Sequence, residues 1–272
     1  MTEGLDDGEF LALTEKIARE RDFRCGSYKE KCLRRRIAVR MRARGVHRYS
    51  DYASVLDRDV AEWEKLLDAL TINVTKLFRN PETYEAIARI VVPSLWSLPE
   101  PSIRVWSAGC SSGEEPYSLA ATFYRHAEEL GELQRVSRVR VLGTDIDKRS
   151  LTAAQRGQFD EDAFADTPAD LRSRYFSPGY PSSVSPAIKE LVTFERRDLL
   201  LEPPPPGGHH LVVCRNVLIY FDRATQESLF ERFQQSLRPG GILVLGKVET
   251  LLGPIRHRFA PIDARERIYR KL

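Results

Sequence analysis

No apolar run in this sequence approaches the roughly 20 residues that a membrane-spanning helix needs, so an α-helical membrane span is excluded. Its opening residues, Met-Thr-Glu-Gly-Leu-Asp-Asp-Gly-Glu, are acidic, and a secretory signal is not expected. There are four cysteines, at positions 25, 32, 110 and 214, without the spacing of a disulfide framework or a zinc site. Reduced thiols in a cytoplasmic protein are the expectation. The five histidines form no His-x-x-x-His or Cys/His cluster, so no metal site is expected. One-sided charge is also lacking, with a net of +3. What is present is ordinary for a soluble globular chain: 272 residues, 42% apolar and 30% charged. That length allows one large domain, or a medium domain with a small companion.

The near-neutral total hides one dense cluster. Residues 29–48 hold nine Lys or Arg (29, 31, 34, 35, 36, 40, 42, 44, 48) against a single acid, Glu30. Wound as a helix, this stretch places Leu33, Ile37 and Met41 on one side. Lys31, Arg35 and Arg42 fall about 180° round from them. An anionic partner suits such a face better than solvent alone. Nucleic acid is one candidate, but no aromatics interleave for base stacking, which makes an acidic protein surface the competitor. The rest of residues 1–70 reads as small helices, with Phe10, Leu13 and Ile17, then Trp63, Leu66, Leu67 and Leu70, at helical spacing.

From residue 83 the pattern alternates between strand and helix. Helices are expected over 84–95, 116–130, 148–156 and 225–237, and strands over 103–107, 139–144, 192–197, 210–214 and 242–245. Pro239-Gly-Gly reads as a turn before the last of these strands, and 157–191 as a turn-rich insertion with a short hairpin or loop.

The first strand runs into Ala108-Gly109-Cys110-Ser111-Ser112-Gly113-Glu114-Glu115. A strand, a small-residue turn and a helix open a nucleotide-binding α/β unit. Two carboxylates in that turn would repel a phosphate. They suit a ligand with an amino group or ribose hydroxyls, and S-adenosylmethionine (SAM) has both. Asp145, at the tip of the second strand, stands where such folds grip a ribose, although a helix N-cap is the plainer role. Arg215, Asn216 and Tyr220 follow the fourth strand, whose end is expected beside the first. Residues 71–82 join the two parts and bring Asn73, Thr75 and Arg79 toward the same cleft.

Four motifs in register carry a resemblance. They are Thr71-Ile-Asn-Val-Thr-Lys-Leu-Phe-Arg-Asn, Val105-Trp-Ser-Ala-Gly-Cys-Ser-Ser-Gly-Glu-Glu-Pro-Tyr-Ser, Gly143-Thr-Asp-Ile-Asp and Cys214-Arg-Asn-Val-Leu-Ile-Tyr-Phe-Asp. Together they resemble the CheR-type chemotaxis receptor methyltransferases, SAM-dependent protein-glutamate O-methyltransferases. The resemblance implies an α/β fold: a Rossmann-like SAM-dependent methyltransferase domain over 83–272 with a small inserted β-subdomain near 172–191, an all-helical docking domain over 1–70, and a linker over 71–82.

It further implies that SAM is held by Asn73, Thr75, Arg79, Gly109, Glu114, Asp145, Asp198, Leu199, Arg215 and Asn216, with Asp198 standing where other members carry Asn. Arg79 and Tyr220 match the pair that lines the methyl-transfer site. The basic helix, with Lys31, Arg35 and Arg42, resembles the one that docks on the acidic methylation helices of receptors. S-adenosylhomocysteine is the implied product. The partners implied are those cytoplasmic helices, with no nucleic acid and no membrane insertion. The insertion around 177–189 is shorter than in members that bind a receptor's C-terminal peptide tether, so no tether is expected. A monomer is expected. Lys247 stands where a histidine is common. Two other functions compete: a SAM-dependent nucleic-acid methyltransferase, and a SAM-binding signalling adaptor without catalysis. Against the first, the fourth strand ends in Cys-Arg-Asn rather than the Asn/Asp-Pro-Pro-Tyr/Phe motif of amino-methylating enzymes.

Overall fold

The computed structural model describes residues 2–71 and 74–272. Contacts divide the chain into two compact units, Met1–Ile72 with Tyr220–Thr225, and Asn73–Ile219 with Gln226–Leu272.

The first unit is built from four helices, α1 (Thr2–Arg21), α2 (Glu30–Ala43), α3 (Tyr49–Arg58) and α4 (Val60–Thr71). Each contributes one apolar stripe at spacings of three and four: Phe10, Leu13 and Ile17; Leu33, Ile37 and Met41; Tyr49, Tyr52 and Leu56; Trp63, Leu66 and Leu70. Burying side chains of this size contributes roughly 1.5–3 kcal/mol apiece. One charge lies inside. Glu62 is fully buried and accepts two hydrogen bonds from Arg40, at 2.9 and 2.8 Å, and one from the Tyr52 hydroxyl at 2.8 Å. A later segment completes the unit: the Lys29 amide donates to the Tyr220 carbonyl at 2.8 Å, the Asp222 amide donates to the Ser27 carbonyl at 3.0 Å, and the Tyr28 and Phe221 rings meet at 4.8 Å.

The second unit begins with α5 (Pro81–Ala86), a π-helical turn (Ile87–Val91) and α6 (Val92–Trp96), which together form the helix expected over 84–95. Then come β1 (Ile103–Ala108), α7 (Glu114–Glu129), β2 (Val139–Asp145) and α8 (Lys148–Arg156). The insertion holds β3 (Gln158–Phe159), α9 (Ala169–Tyr175), β4 (Ser182–Ser183) and α10 (Pro186–Lys189). β5 (Val192–Arg196), β6 (His209–Cys214), α11 (Arg223–Ser236), β7 (Leu237–Leu245), β8 (Phe259–Asp263) and β9 (Ile268–Lys271) follow.

Seven strands form one sheet in the order β5-β2-β1-β6-β7-β9-β8. The first five are parallel, and β9 and β8 turn antiparallel at one edge. All six residues of β6 are buried, as expected for a parallel strand covered on both faces. The chain moves outward from β1 through β2 to β5, then returns to β6 on the other side of β1. That reversal places a ligand crevice at the carboxyl ends of β1 and β6.

Three sequence expectations change. The first-turn helix starts at Glu114 rather than 116, because proline is tolerated in a helix's first turn, where its missing N–H has no partner to lose. Pro239-Gly-Gly is not a turn ahead of the strand but lies within β7, where the register against β6 jumps between His209 and Leu211. A bulge is where a sheet admits proline. The insertion's strands are not a hairpin. β3 pairs with β4 across the intervening α9, closing the insertion at its two ends. Its core is aromatic: Phe159, Phe164 and Phe176 lie edge to face, at centroid distances of 5.1–6.5 Å.

Candidate cofactor site and linker turn

The turn after β1 is shaped by three residues in left-handed backbone, Gly109 (φ +79°), Ser111 (φ +49°) and Gly113 (φ +95°). At Gly109 a Cβ would lie 2.6 Å from a Val217 methyl, and at Gly113 one would lie 2.9 Å from the Ala154 Cβ. Glycine is therefore required by the chain's own close contacts as well as by φ. The Gly109 and Cys110 amides both donate to the Thr144 carbonyl, at 2.8 and 2.9 Å, which ties this turn to the end of β2.

Two carboxylates line the turn. Asp145 is buried, and accepts from the Ser111 amide at 2.8 Å and the Asp147 amide at 3.0 Å. The N-cap of α8 is Asp147, which accepts from the Arg149 amide, so Asp145 is not consumed by capping. Burial raises the Asp145 carboxyl above its ordinary range, although backbone amides oppose the shift. Glu114 is also buried, and accepts from the Ser112 hydroxyl at 2.9 Å. Desolvation pushes its carboxyl up to about 7. Neither carboxylate makes an ion pair with any described residue. Two buried acids without a cation fit a ligand that brings its own ammonium and hydroxyl donors, which is the donor set of SAM.

The linker residues take separate places. Asn73 lies outside the described residues. Thr75 is half-buried. The Arg79 guanidinium donates to the Val74 carbonyl at 2.9 Å. On either side of Arg79, Phe78 (φ +51°) and Asn80 (φ +60°) are left-handed. The Phe78 amide donates to the Ser118 hydroxyl at 2.8 Å.

After β6, Arg215 is buried and donates to the Arg79 carbonyl at 2.7 Å and to Asn80 Oδ1 at 3.0 Å. Asn216 adopts φ +60°, and its amide donates to Glu249 at 3.0 Å. Asp198 is buried, and its carboxylate accepts from the Leu200 and Leu201 amides at 2.7 and 3.3 Å. Leu199 is half-buried, and its carbonyl accepts from Arg232 at 3.0 Å. Tyr220 belongs to the first unit, where the Arg36 guanidinium lies 5.8 Å from its ring. In that unit Lys31, Arg35 and Arg42 are all exposed on α2, opposite the buried Leu33, Ile37 and Met41.

One residue, Glu249, escaped sequence reasoning, and another, Glu115, expected with Glu114 to face the ligand, has partners within the protein. Glu249 accepts from the Gly246, Asn216 and Ile219 amides, at 2.7, 3.0 and 3.3 Å, and so holds the turn after β6 in place. Glu115 faces Arg215 at 3.6 Å and accepts from the Ser107 hydroxyl at 2.8 Å. Lys247 has partners of its own, Glu82 at 3.0 Å and Glu266 at 3.5 Å.

A doubly wound sheet with paired acids at the tips of β1 and β2 defines a SAM-dependent methyltransferase domain. Residues 73–268 match the family described as CheR methyltransferase, SAM binding domain, and residues 8–71 match CheR methyltransferase, all-alpha domain. The chain belongs to the CheR methyltransferase family.

Among similar proteins, a chemotaxis protein methyltransferase of Listeria innocua is 30% identical over 256 residues, covering 94% of this chain and 95% of its own. One from Klebsiella aerogenes is 34% identical over 254 residues, covering 90% and 84%. An uncharacterized 104.1 kDa protein of Rhodobacter capsulatus is 33% identical over 274 residues, but this chain spans only 28% of its length. No described helix is long and apolar enough to cross a membrane.

Proposed function

We propose that this chain methylates glutamate side chains on chemoreceptors, giving methyl esters. The observation that carries the substrate class is the charge on α2. Within the basic stretch, Arg34 pairs with Asp7 and Glu30, each at 2.6 Å, Arg40 with Glu62 at 2.8 Å, Arg44 with Asp59 at 3.1 Å, and Arg48 with Glu9. Lys31, Arg35 and Arg42 make no ion pair with a described residue. These three charges share one exposed face, which suits an acidic helical surface. An open depression of about 720 Å³ lies there, lined by Glu30, Lys31, Cys32, Arg34 and Arg35. The names of the chemotaxis relatives point the same way.

Bound SAM supplies a methyl group on a sulfonium. A glutamate has an ordinary pKa of about 4.3 and meets that methyl already ionised, so no general base is required. What the chain must provide is orientation, which lowers a barrier by roughly 7–11 kcal/mol in well-aligned cases. In this proposal Glu114 and Asp145 hold the cofactor's ammonium and ribose. Arg79 exchanges its bond to the neutral Val74 carbonyl for the substrate carboxylate, and Tyr220 donates a hydrogen bond that aims one oxygen at the methyl.

The test is Arg79→Ala and Tyr220→Phe, assayed for methyl transfer from labelled SAM to receptor-bearing membranes of the source organism, with SAM affinity measured in parallel. Turnover is expected to fall about 100-fold or more for Arg79→Ala and about 10-fold for Tyr220→Phe. Near-normal turnover in both variants would remove these roles. Label that resists mild base would rule out glutamate methyl esters.

A further inference from the structure

Glu115, the second residue of α7, has a different set of contacts from Glu114. Its carboxylate lies 3.6 Å from Arg215, and the two side chains are only 12% and 2% exposed. Arg215 in turn donates to two consecutive residues of the linker, the Arg79 carbonyl at 2.7 Å and Asn80 Oδ1 at 3.0 Å.

We propose that Glu115 and Arg215 are a positioning pair that fixes the turn over 74–80, and with it the Arg79 backbone, for methyl transfer. The inference rests on Arg79 meeting the substrate carboxylate. Neither member of the pair is assigned a chemical step; both act through the turn.

The turn needs such support. Non-glycine residues in left-handed backbone persist only where the surroundings over-determine them, and Phe78 and Asn80 flank Arg79 in that conformation. Several anchors do this, among them the Asn80 amide donating to Asp166 and the Thr167 hydroxyl donating to the Leu77 carbonyl, each at 3.4 Å. The Phe78 amide is held by Ser118, whose hydroxyl donates to the Glu114 carbonyl at 2.6 Å. The Leu77 amide donates to the Ala163 carbonyl at 2.9 Å. Arg215 binds the Arg79 carbonyl and the Asn80 side chain.

A guanidinium buried to this extent without a counterion would carry a large desolvation cost. Glu115 supplies the opposite charge and is itself oriented by Ser107 at 2.8 Å. The Tyr84 ring lies 5.5 Å from the guanidinium. Removing the Glu115 charge should therefore release Arg215 from the turn while leaving the sheet intact.

The experiment uses the full chain with Glu115→Gln. Amide hydrogen exchange of segment 74–80 is expected to accelerate about 10-fold or more, with that of β1 unchanged. For methyl transfer to the same membranes, kcat should fall between about 10- and 100-fold while the receptor KM stays within about threefold. Glu115→Asp, which keeps the charge, should restore part of the turnover. Adding Glu115→Gln to Arg79→Ala should slow turnover no further, since both act on one group.

Unchanged exchange over 74–80, or equal acceleration in β1, overturns the proposal, as do additive losses in the double variant. If Arg79→Ala alone retains turnover, the role of Arg79 fails, and the exchange data still decide whether the pair fixes the turn. Should Glu115→Gln fail to fold, Ser107→Ala removes the hydrogen bond that orients Glu115 and is read in the same way.

Discussion

Glu114 shows how one buried side chain sets the conditions for cofactor binding. Desolvation lifts its carboxyl to about 7, with only its own backbone amide and the Ser112 hydroxyl opposing. A ligand ammonium favours the ionised form, so binding releases a proton wherever the free carboxyl is protonated. The sign follows: S-adenosylhomocysteine affinity should rise by about tenfold per pH unit on the acid side of about 7 and flatten above it. Titration calorimetry in two buffers of different ionisation enthalpy would count that proton. Glu114→Gln should remove the slope and weaken binding by about 10- to 100-fold, the loss of one charge-assisted hydrogen bond. A pH-independent wild-type affinity would show that Glu114 does not meet the ammonium. Glu114 and Asp145 were legible in the sequence because each stands within a few residues of a strand end. Glu249 was not, because two of its three amide partners, residues 216 and 219, lie about 30 positions away, and no local pattern records such a pairing.

Among the elements, α2 and α4 are joined by a charge rather than by apolar stripes alone. Burial would raise the Glu62 carboxyl, but hydrogen bonds from Arg40 and Tyr52 outweigh it and hold it below its ordinary 4.5. A depressed carboxyl stabilises the fold above its unfolded pKa and loses that contribution as pH falls through the folded value. Glu62→Gln leaves Arg40 facing an uncharged group, and should cost about 3 kcal/mol at neutral pH. Thermal unfolding of both proteins should converge as the pH is lowered below 4.5; a constant gap would mean that the pair is not what holds these helices. The helices themselves were readable from their stripes, and so were the five parallel strands, since apolar runs bounded by turn residues mark both. The insertion was harder. Strands of two residues, β3 and β4, have no period to detect. The bulge in β7 looked like a turn because Pro239-Gly-Gly commonly is one, and only pairing with β6 keeps that segment in the sheet.

For the molecule as a whole, sequence charge and surface charge are different quantities. Nine cations crowd residues 29–48, but Arg34, Arg40, Arg44 and Arg48 pair with acids of the same unit. What the sequence presents as a broad basic block is, once folded, a narrow face with Lys31, Arg35 and Arg42 at its centre. A narrow face argues for a partner of matching width, such as one acidic helix, over a nucleic-acid backbone that would track a longer stripe. Reversing these three charges to Glu should therefore weaken receptor binding by about 10- to 100-fold at low salt, since exposed pairs contribute up to roughly 1 kcal/mol each. The difference should shrink as ionic strength rises and screening shortens to about 8 Å at 0.15 M. S-adenosylhomocysteine affinity should not move, because the acids assigned to it lie in the other unit. Reversing Arg34, Arg40 and Arg44 instead should lower thermal stability, because those charges are already engaged within the unit. Equal loss of receptor binding from both triple variants, measured with membranes from the source organism, would mean that total charge rather than this face selects the partner.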